Sequence, residues 1–283
     1  MGRRLRIFIL AFIAAFANLQ LRAEGIAFAD ATVKALCVAN WDTNKDGELS
    51  LDEAAAVTSL GEVFRGNKEI GTFGELKYFT GLTAIDEYAF SESSISGDLR
   101  VPGNVKAIKN YAFYNCSRLT AVILEEGVET VGWNSFSGPI RILSLPASLT
   151  FMSSMAIDPY VNADPSAGIF IPEGDLYVYA HGTTPASINN FAFYYVFNGG
   201  HLVVPHGCVE AYKAEKAWSQ FGEYIEVGDI NRDGRLDVAD ITLLIAFITG
   251  KKPTPVELRI ADVNGDGVLN ATDVDLLCRY VLM

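Results

Sequence analysis

The middle of the chain contains a 23-residue repeat, and this feature limits the possible folds more than any other. An apolar residue followed five positions later by phenylalanine occurs three times at that interval, at Ile85 and Phe90, Ile108 and Phe113, and Val131 and Phe136. Other apolar positions follow the same or nearly the same period: Leu82, Val105 and Val128; Val101, Leu124 and Leu145; and a weaker fourth unit with Leu149, Met152 and Ile157. Stacked units of this kind share one core, with the phenylalanines as an internal ladder. The pattern predicts a solenoid; the alternative is an ordinary α/β domain with coincidental spacing.

The unit from Ile108 to Leu124 resembles a BspA-type leucine-rich repeat. The residues at that family's core positions are Ala112, Phe113, Cys116, Leu119 and Val122. The resemblance implies a short right-handed solenoid of strands and turns, matched well over residues 76–160. Residues 202–214 resemble the strand and helix that close such arrays, and an open solenoid end needs a cap. We therefore expect residues 76–226 to form a solenoid with a C-terminal cap. We expect the solenoid to bind a protein or a glycan, although the family alone does not identify this ligand.

Two acidic loops of twelve residues, 229–240 and 262–273, lie near the end of the chain and match each other at an interval of 33. Calcium takes six to eight oxygen ligands, and a glycine at loop position 6 allows the sharp bend around it. The predicted ligands in the first loop are Asp229, Asn231, Asp233, Arg235 through its carbonyl, Asp237 and Asp240. Those in the second loop are Asp262, Asn264, Asp266, Val268 through its carbonyl, Asn270 and Asp273. The loops predict two bound Ca²⁺ ions.

The helices expected after these loops also repeat. Their apolar stripes are Ile241, Leu244, Ile245 and Ile248 in the first, and Val274, Leu277, Cys278 and Val281 in the second. We expect the two stripes to face each other in a small all-α core that depends on metal. Paired loops with Asp at position 12, and matched helices behind them, make residues 227–283 resemble a type I dockerin.

That resemblance implies docking to a cohesin domain on another protein, through residues on the calcium-loop helices. Loop positions 10 and 11 often carry Ser-Thr-like pairs in the family. In this chain they are Val238 with Ala239, and Ala271 with Thr272. The departure predicts a more apolar contact face.

A third acidic loop, residues 42–53, fits the EF-hand pattern. Its candidate ligands are Asp42, Asn44, Asp46, Glu48 through its carbonyl, Ser50 through water, and Glu53 with both oxygens. Helical spacing before the loop and an alanine-rich run after it predict flanking helices. Residues 24–75 are therefore predicted to form an EF-hand-like cap holding a third, structural Ca²⁺; the alternative is a polar turn with an incidental Asp-Gly.

Residues 1–23 have the features of a secretory signal. Three arginines precede an apolar run of 11 residues, Ile7 to Ala17, which is too short to span a bilayer. The alternatives are a buried first helix or a membrane anchor. We expect a secreted or cell-surface protein without a membrane span in its mature form.

The net charge of −12 disfavours a nucleic-acid partner. The four cysteines allow three disulfide pairings, but their apolar contexts favour buried thiols.

The sequence has no Gly-x-Ser-x-Gly elbow, no His-Glu-x-x-His helix and no phosphate loop. A pair of glycosidase carboxylates distant in sequence is left open. The predicted fold class is α+β: a short leucine-rich-repeat solenoid between an EF-hand-like helical cap and an all-α dockerin. The predicted function is non-enzymatic recognition or adhesion, with the dockerin tethering the chain to a cohesin-bearing partner. One alternative is an accessory or enzymatic component of a polysaccharide-degrading assembly, and another is a dockerin that serves only as an intramolecular cap.

Overall fold

The structure is a computed structural model that describes residues 25–158, 176–193 and 200–282. The predicted signal segment, residues 1–23, lies outside these ranges, as does the apolar run at residues 169–171. Within the described ranges, no helix has both the length and the apolar character that a bilayer crossing requires.

The repeat forms a β-solenoid of about five turns. Its first parallel sheet consists of two-residue strands in the order β1 (Ala84–Ile85), β3 (Ala107–Ile108), β5 (Thr130–Val131), β8 (Phe151–Met152) and β11 (Ser187–Ile188). The register places Ile85 beside Ile108, Ile108 beside Val131, and Val131 beside Met152. Residues related by the sequence period are therefore neighbours in space, and the predicted solenoid is confirmed.

The second sheet of the solenoid is also parallel and has longer strands. Its order is β2 (Ser96–Val101), β4 (Arg118–Leu124), β7 (Ile142–Leu145), β10 (Tyr177–Ala180), β12 (His201–Val204) and β13 (Glu223–Glu226). Alternate residues point into the solenoid core, among them Val122, Leu143, Val178 and Leu202. The residues between them form a line across the opposite face, here called the outer row: Arg100, Ile123, Ser144, Tyr179, Val203 and Ile225.

The phenylalanines of successive turns stack inside the solenoid as predicted. The ring centroids of Phe64 and Phe90 are 4.8 Å apart, those of Phe90 and Phe113 4.9 Å, and those of Phe113 and Phe136 5.1 Å. All four rings are fully buried, and full burial of one such side chain stabilises the fold by about 1.5–3 kcal/mol. The ladder begins at Phe64, one turn before the first unit recognised in the sequence. A small parallel pair, β6 (Phe136–Ser137) and β9 (Ile157–Asp158), lies beside it.

Two α-helices cover the front end of the solenoid. They are α1 (Ala31–Trp41) and α2 (Leu51–Ala56), followed by a 3-10 helix (Gly74–Tyr78). Asp30 caps α1 by accepting hydrogen bonds from the amides of Thr32 and Val33, and its second oxygen accepts one from Gly71 at 2.6 Å. Side chains from both α-helices, such as Cys37 and Ala54, belong to the same buried cluster as the phenylalanine ladder.

The back end closes through α3 (Val209–Ala214), which follows β12 as expected for the cap. The Tyr212 hydroxyl donates a hydrogen bond to the carbonyl of Gly182 at 2.7 Å, and the Trp218 indole donates one to the carbonyl of Ala186 at 2.9 Å. Three further helices complete the chain: α4 (Val238–Ile248), α5 (Pro255–Ala261) and α6 (Ala271–Leu282). The cysteines are free thiols: Cys37, Cys116 and Cys208 are buried, and Cys278 is partly exposed.

Candidate calcium sites

The two C-terminal loops have the same backbone path. The first connects β13 to α4, and the second connects α5 to α6. Positions 4 and 6 have positive φ in both: 57° at Arg232 and 81° at Gly234, then 73° at Gly265 and 84° at Gly267. Glycine adopts this conformation without steric cost, whereas Arg232 adopts it with strain. These bends curl the main chain around the acidic side chains.

The aspartates at position 1 bind the amides that follow the bend. Asp229 accepts hydrogen bonds from the amides of Asp233 at 3.2 Å and Gly234 at 3.0 Å. In the second loop, Asp262 accepts from Asp266 at 3.1 Å and Gly267 at 2.8 Å. The position-3 amide oxygens, on Asn231 and Asn264, each accept from the position-5 amide at 2.9 Å.

The aspartates at position 12 join the start of each loop to its end. Asp240 accepts from the amides of Ile230 at 2.8 Å and Asn231 at 3.1 Å through one oxygen, and from Asp237 at 3.1 Å through the other. Asp273 accepts from Val263 at 2.9 Å, Asn264 at 3.3 Å and Asn270 at 2.9 Å. Both carboxylates are 0% exposed. Buried acids with this many amide donors fix the ligand positions of each loop relative to one another.

Electrostatics in both loops favour a cation. Burial raises the pKa of Asp229, and repulsion from Asp240 and Asp233 adds to the rise, although amide hydrogen bonds from Gly234 and Asp233 oppose it. Burial likewise raises the pKa of Asp262, with repulsion from Asp273 and Asp266. Crowded carboxylates of this kind resist ionisation unless a positive charge lies among them.

The donor set fits calcium because it consists of oxygens alone. Carboxylates, the amides of Asn231, Asn264 and Asn270, and the carbonyls of Arg235 and Val268 are the oxygens that the two loops offer. In the described part of the chain, no group of three or more His, Cys, Asp and Glu side chains is arranged so that those groups alone could hold a metal.

The front loop bends at the same positions and has a similar set of amide hydrogen bonds. Lys45 and Gly47, at positions 4 and 6, have φ of 59° and 86°. Asp42 accepts from the amides of Lys45 at 2.7 Å and Gly47 at 2.9 Å, and Asn44 accepts from Asp46 at 2.8 Å. The side chain of Glu48 pairs with Lys34 at 2.6 Å, and the predicted ligand at this position is its main-chain carbonyl.

Glu53 closes the front loop in the way that Asp240 and Asp273 close the others. One of its oxygens accepts from Thr43 and Asn44, and the other accepts from the amide and hydroxyl of Ser50. Burial alone would raise its pKa, but these hydrogen bonds lower the pKa of Glu53 to about 2. The Ser50 hydroxyl is part of a capping box at the start of α2, so its predicted water-mediated role competes with this cap.

The three histidines have partners away from the acidic loops. His181 is 2.8 Å from the Ser144 hydroxyl, His206 is 2.9 Å from Glu226, and His201 pairs with Glu223.

Sequence reasoning missed two arginines that connect the loop region to the solenoid. Arg232 donates a hydrogen bond to Tyr177, and Arg259 pairs with Asp98. No periodic pattern in the sequence marked either contact.

Comparison with family models gives two matches. Residues 60–159 match the BspA type leucine rich repeat region in six copies, and residues 227–282 match the dockerin type I domain. Both resemblances seen in the sequence are therefore confirmed. Neither match includes residues 42–53, so the EF-hand character of the front loop stays a prediction. Comparison with curated proteins and with solved structures gives no match.

Proposed function

Because the chain carries a BspA-type repeat region and a type I dockerin domain, we propose that it is a secreted, non-enzymatic calcium-binding recognition protein. Its dockerin tethers it to a cohesin-bearing partner, and its solenoid binds a protein or a glycan. The observation that carries this proposal is the repetition of one loop geometry at an interval of 33 residues, in which Asp240 and Asp273 are both buried and bind equivalent amides.

Calcium in these loops would supply the positive charge that the crowded carboxylates lack. Asp229, Asn231, Asp233, Asp237 and Asp240, with the carbonyl of Arg235, would hold one ion. Their counterparts from Asp262 to Asp273 would hold a second, and the loop from Asp42 to Glu53 a third. With its charge neutralised, each loop fixes the direction in which the following helix leaves it.

The outer surface of α4 supports an apolar docking face. Val238 at loop position 10 is 68% exposed, and Ile245 two turns later is 45% exposed. The matching positions on α6 are Ala271 and Cys278. An ion pair of 2.6 Å between Asp275 and Arg279 lies on the exposed part of that helix. The two helices therefore offer a partner different chemistry despite their common fold.

Calorimetric titration of the full chain with calcium tests the metal sites. We expect three bound ions, with Asp240→Asn and Asp273→Asn each removing one C-terminal site and Glu53→Gln removing the front site. Asp275→Asn is the matched control, since this aspartate is exposed on α6 and lies outside the loop. Unchanged stoichiometry in the Asp240 and Asp273 variants would contradict the assignment.

A pull-down of cohesin domains with the full chain then tests the tether. Binding should require calcium, disappear in chelator and weaken in Val238→Asp. Calcium-loaded protein that ignores every cohesin domain encoded by the same genome would leave the intramolecular cap as the better account.

A further inference from the structure

The C-terminal helices pack against the solenoid rather than apart from it. The outer-row residues Tyr179, Val203 and Ile225 form one buried cluster with residues of the C-terminal segment: Ile230, Leu244, Phe247, Ile260, Ala261 and Leu277. Val203 and Ile225 are each 1% exposed, although their side chains point away from the solenoid core. The dockerin is therefore the layer that covers this part of the sheet.

Polar and aromatic contacts surround that shared cluster. The Arg232 guanidinium, at position 4 of the first loop, donates a hydrogen bond of 2.9 Å to the Tyr177 hydroxyl. Arg259 on α5 lies 3.8 Å from the Asp98 carboxylate, with its guanidinium 5.9 Å from the centre of the Tyr179 ring. These contacts join the first loop and α5 to strands of the same sheet.

The second loop faces the outer row directly. A cleft of about 210 Å³ is lined on one side by Arg100, Ile123 and Ser144 and on the other by loop residues from Asp262 to Gly267. A neighbouring cleft of about 200 Å³ continues between this loop and Val203. The ring of Tyr280 on α6 stacks on His206 with 4.6 Å between their centres, so the end of this helix is also held against the solenoid.

The connection between the two parts is too short to act as a flexible linker. Strand β13 ends at Glu226, and the first loop begins at Asp229. The amide of Val227 donates to the carbonyl of Val204 at 2.9 Å, and that of Gly228 donates to Ile260 at 2.9 Å. Gly228 has a φ of 96°, and a Cβ there would lie 2.7 Å from a methyl carbon of Leu277. The two residues between the sheet and the first loop, Val227 and Gly228, therefore both have hydrogen-bonded amides.

We propose that the solenoid sheet is a second binding partner of the dockerin, within the same chain, and that calcium at the C-terminal loops stabilises strands β10, β12 and β13. This inference depends on the proposed calcium function. Since the shared cluster draws residues from both parts, the loops and these strands form one cooperative unit. The sequence instead predicted a small all-α core of its own for residues 227–283. Such a module would lose its structure without affecting the solenoid when calcium is removed.

Hydrogen exchange of the full chain, measured by mass spectrometry in calcium and in chelator, tests the coupling. Chelation should speed exchange in both C-terminal loops and, by about tenfold or more, in β12 and β13. Strands β1 and β3 at the far end of the solenoid are the internal control and should be unchanged. If the loops respond to calcium and β12 and β13 do not, the inference is wrong and the calcium function stands. If the loops themselves do not respond, the calcium function fails.

Val203→Asp places a charge in the shared cluster, while Ile248→Asp places the same charge on an exposed part of α4, outside the calcium loop. The first variant should make exchange in β12 independent of calcium and weaken calcium binding severalfold, whereas the second should do neither. If Val203→Asp does not fold, the double variant Tyr177→Phe and Asp98→Asn removes the partners of Arg232 and Arg259 at the rim of the interface and leaves the calcium loop unaltered. This variant should reduce the effect of calcium on hydrogen exchange in β12. An effect as large as in the unaltered protein would overturn the proposal.

Discussion

The ring of Phe113 lies parallel to that of Phe90, with 4.9 Å between the ring centroids and 7° between the planes. Phe113 also stacks on Phe136, so its removal opens a cavity bordered by two turns. We expect Phe113→Ala to lower the free energy of unfolding by about 3–5 kcal/mol in urea titrations followed by tryptophan fluorescence. Phe151→Ala is the control: this ring is 47% exposed, and its loss should cost at most about 0.5 kcal/mol. Equal losses would contradict the internal ladder.

Successive turns approach each other closely at two glycines. A Cβ on Gly103 would lie 1.9 Å from the carbonyl oxygen of Glu126, and one on Gly127 would lie 2.3 Å from that of Gly103. Gly103→Ala should therefore separate the turns and sharply lower the yield of folded protein and its melting temperature. Gly74→Ala is the control, because no atom lies within 4 Å of its Cβ position. A melting temperature for Gly103→Ala equal to that of the control would show that the turns can move apart freely.

Glu53 should give the front unit a distinct dependence on pH. Its pKa is lowered from 4.5 to about 2, so the folded state holds its proton less tightly than the unfolded state does. The stability that it contributes is present above pH 4.5 and is lost as the pH falls through about 2. In chelator, Glu53→Gln should therefore destabilise the protein at neutral pH, and the difference in urea midpoint should vanish near pH 2. A difference in urea midpoint that persists undiminished at pH 2 would contradict this assignment.

The hydroxyl of Tyr179 is buried at the interface and has no hydrogen-bond partner within the described residues. An unsatisfied buried hydroxyl costs about 1–3 kcal/mol, so Tyr179→Phe should be at least as stable as the unaltered protein. Tyr179→Ala removes the ring from the shared cluster and should cost about 3–5 kcal/mol in calorimetric unfolding. A destabilised phenylalanine variant would mean that the hydroxyl binds a group in solution.

The solenoid could be predicted because its information is periodic and local. Ile85 and Ile108 occupy the same place in successive units, and the parallel register sets them side by side. The turn built on Phe64 was missed because Phe64 precedes Phe90 by 26 residues, whereas the other phenylalanines of the ladder are 23 apart. The acidic loops could be recognised in the sequence because their predicted ligands follow a fixed spacing around the glycine at position 6.

The contacts between the two parts could not be read in the same way. Arg232 and Tyr177 are 55 residues apart, and no repeat relates them. The predicted stripe on α4 was also partly wrong, because Ile245 and Ile248 are exposed whereas Phe247 is buried at the shared cluster. A helix that packs on a sheet as well as on its sister helix buries a different set of positions from an isolated pair.

Strands β1, β3 and β5 pair with the same offset of 23 residues, and this offset affects how the number of repeats can change in evolution. Each turn touches only its neighbours, and residue n of one turn lies beside residue n+23 of the next. Loss or duplication of a 23-residue block therefore rejoins turns whose facing surfaces already match. The span between the front cap and the C-terminal module can lengthen or shorten in whole steps, by a single in-frame recombination event, and the pairing between neighbouring turns keeps its register.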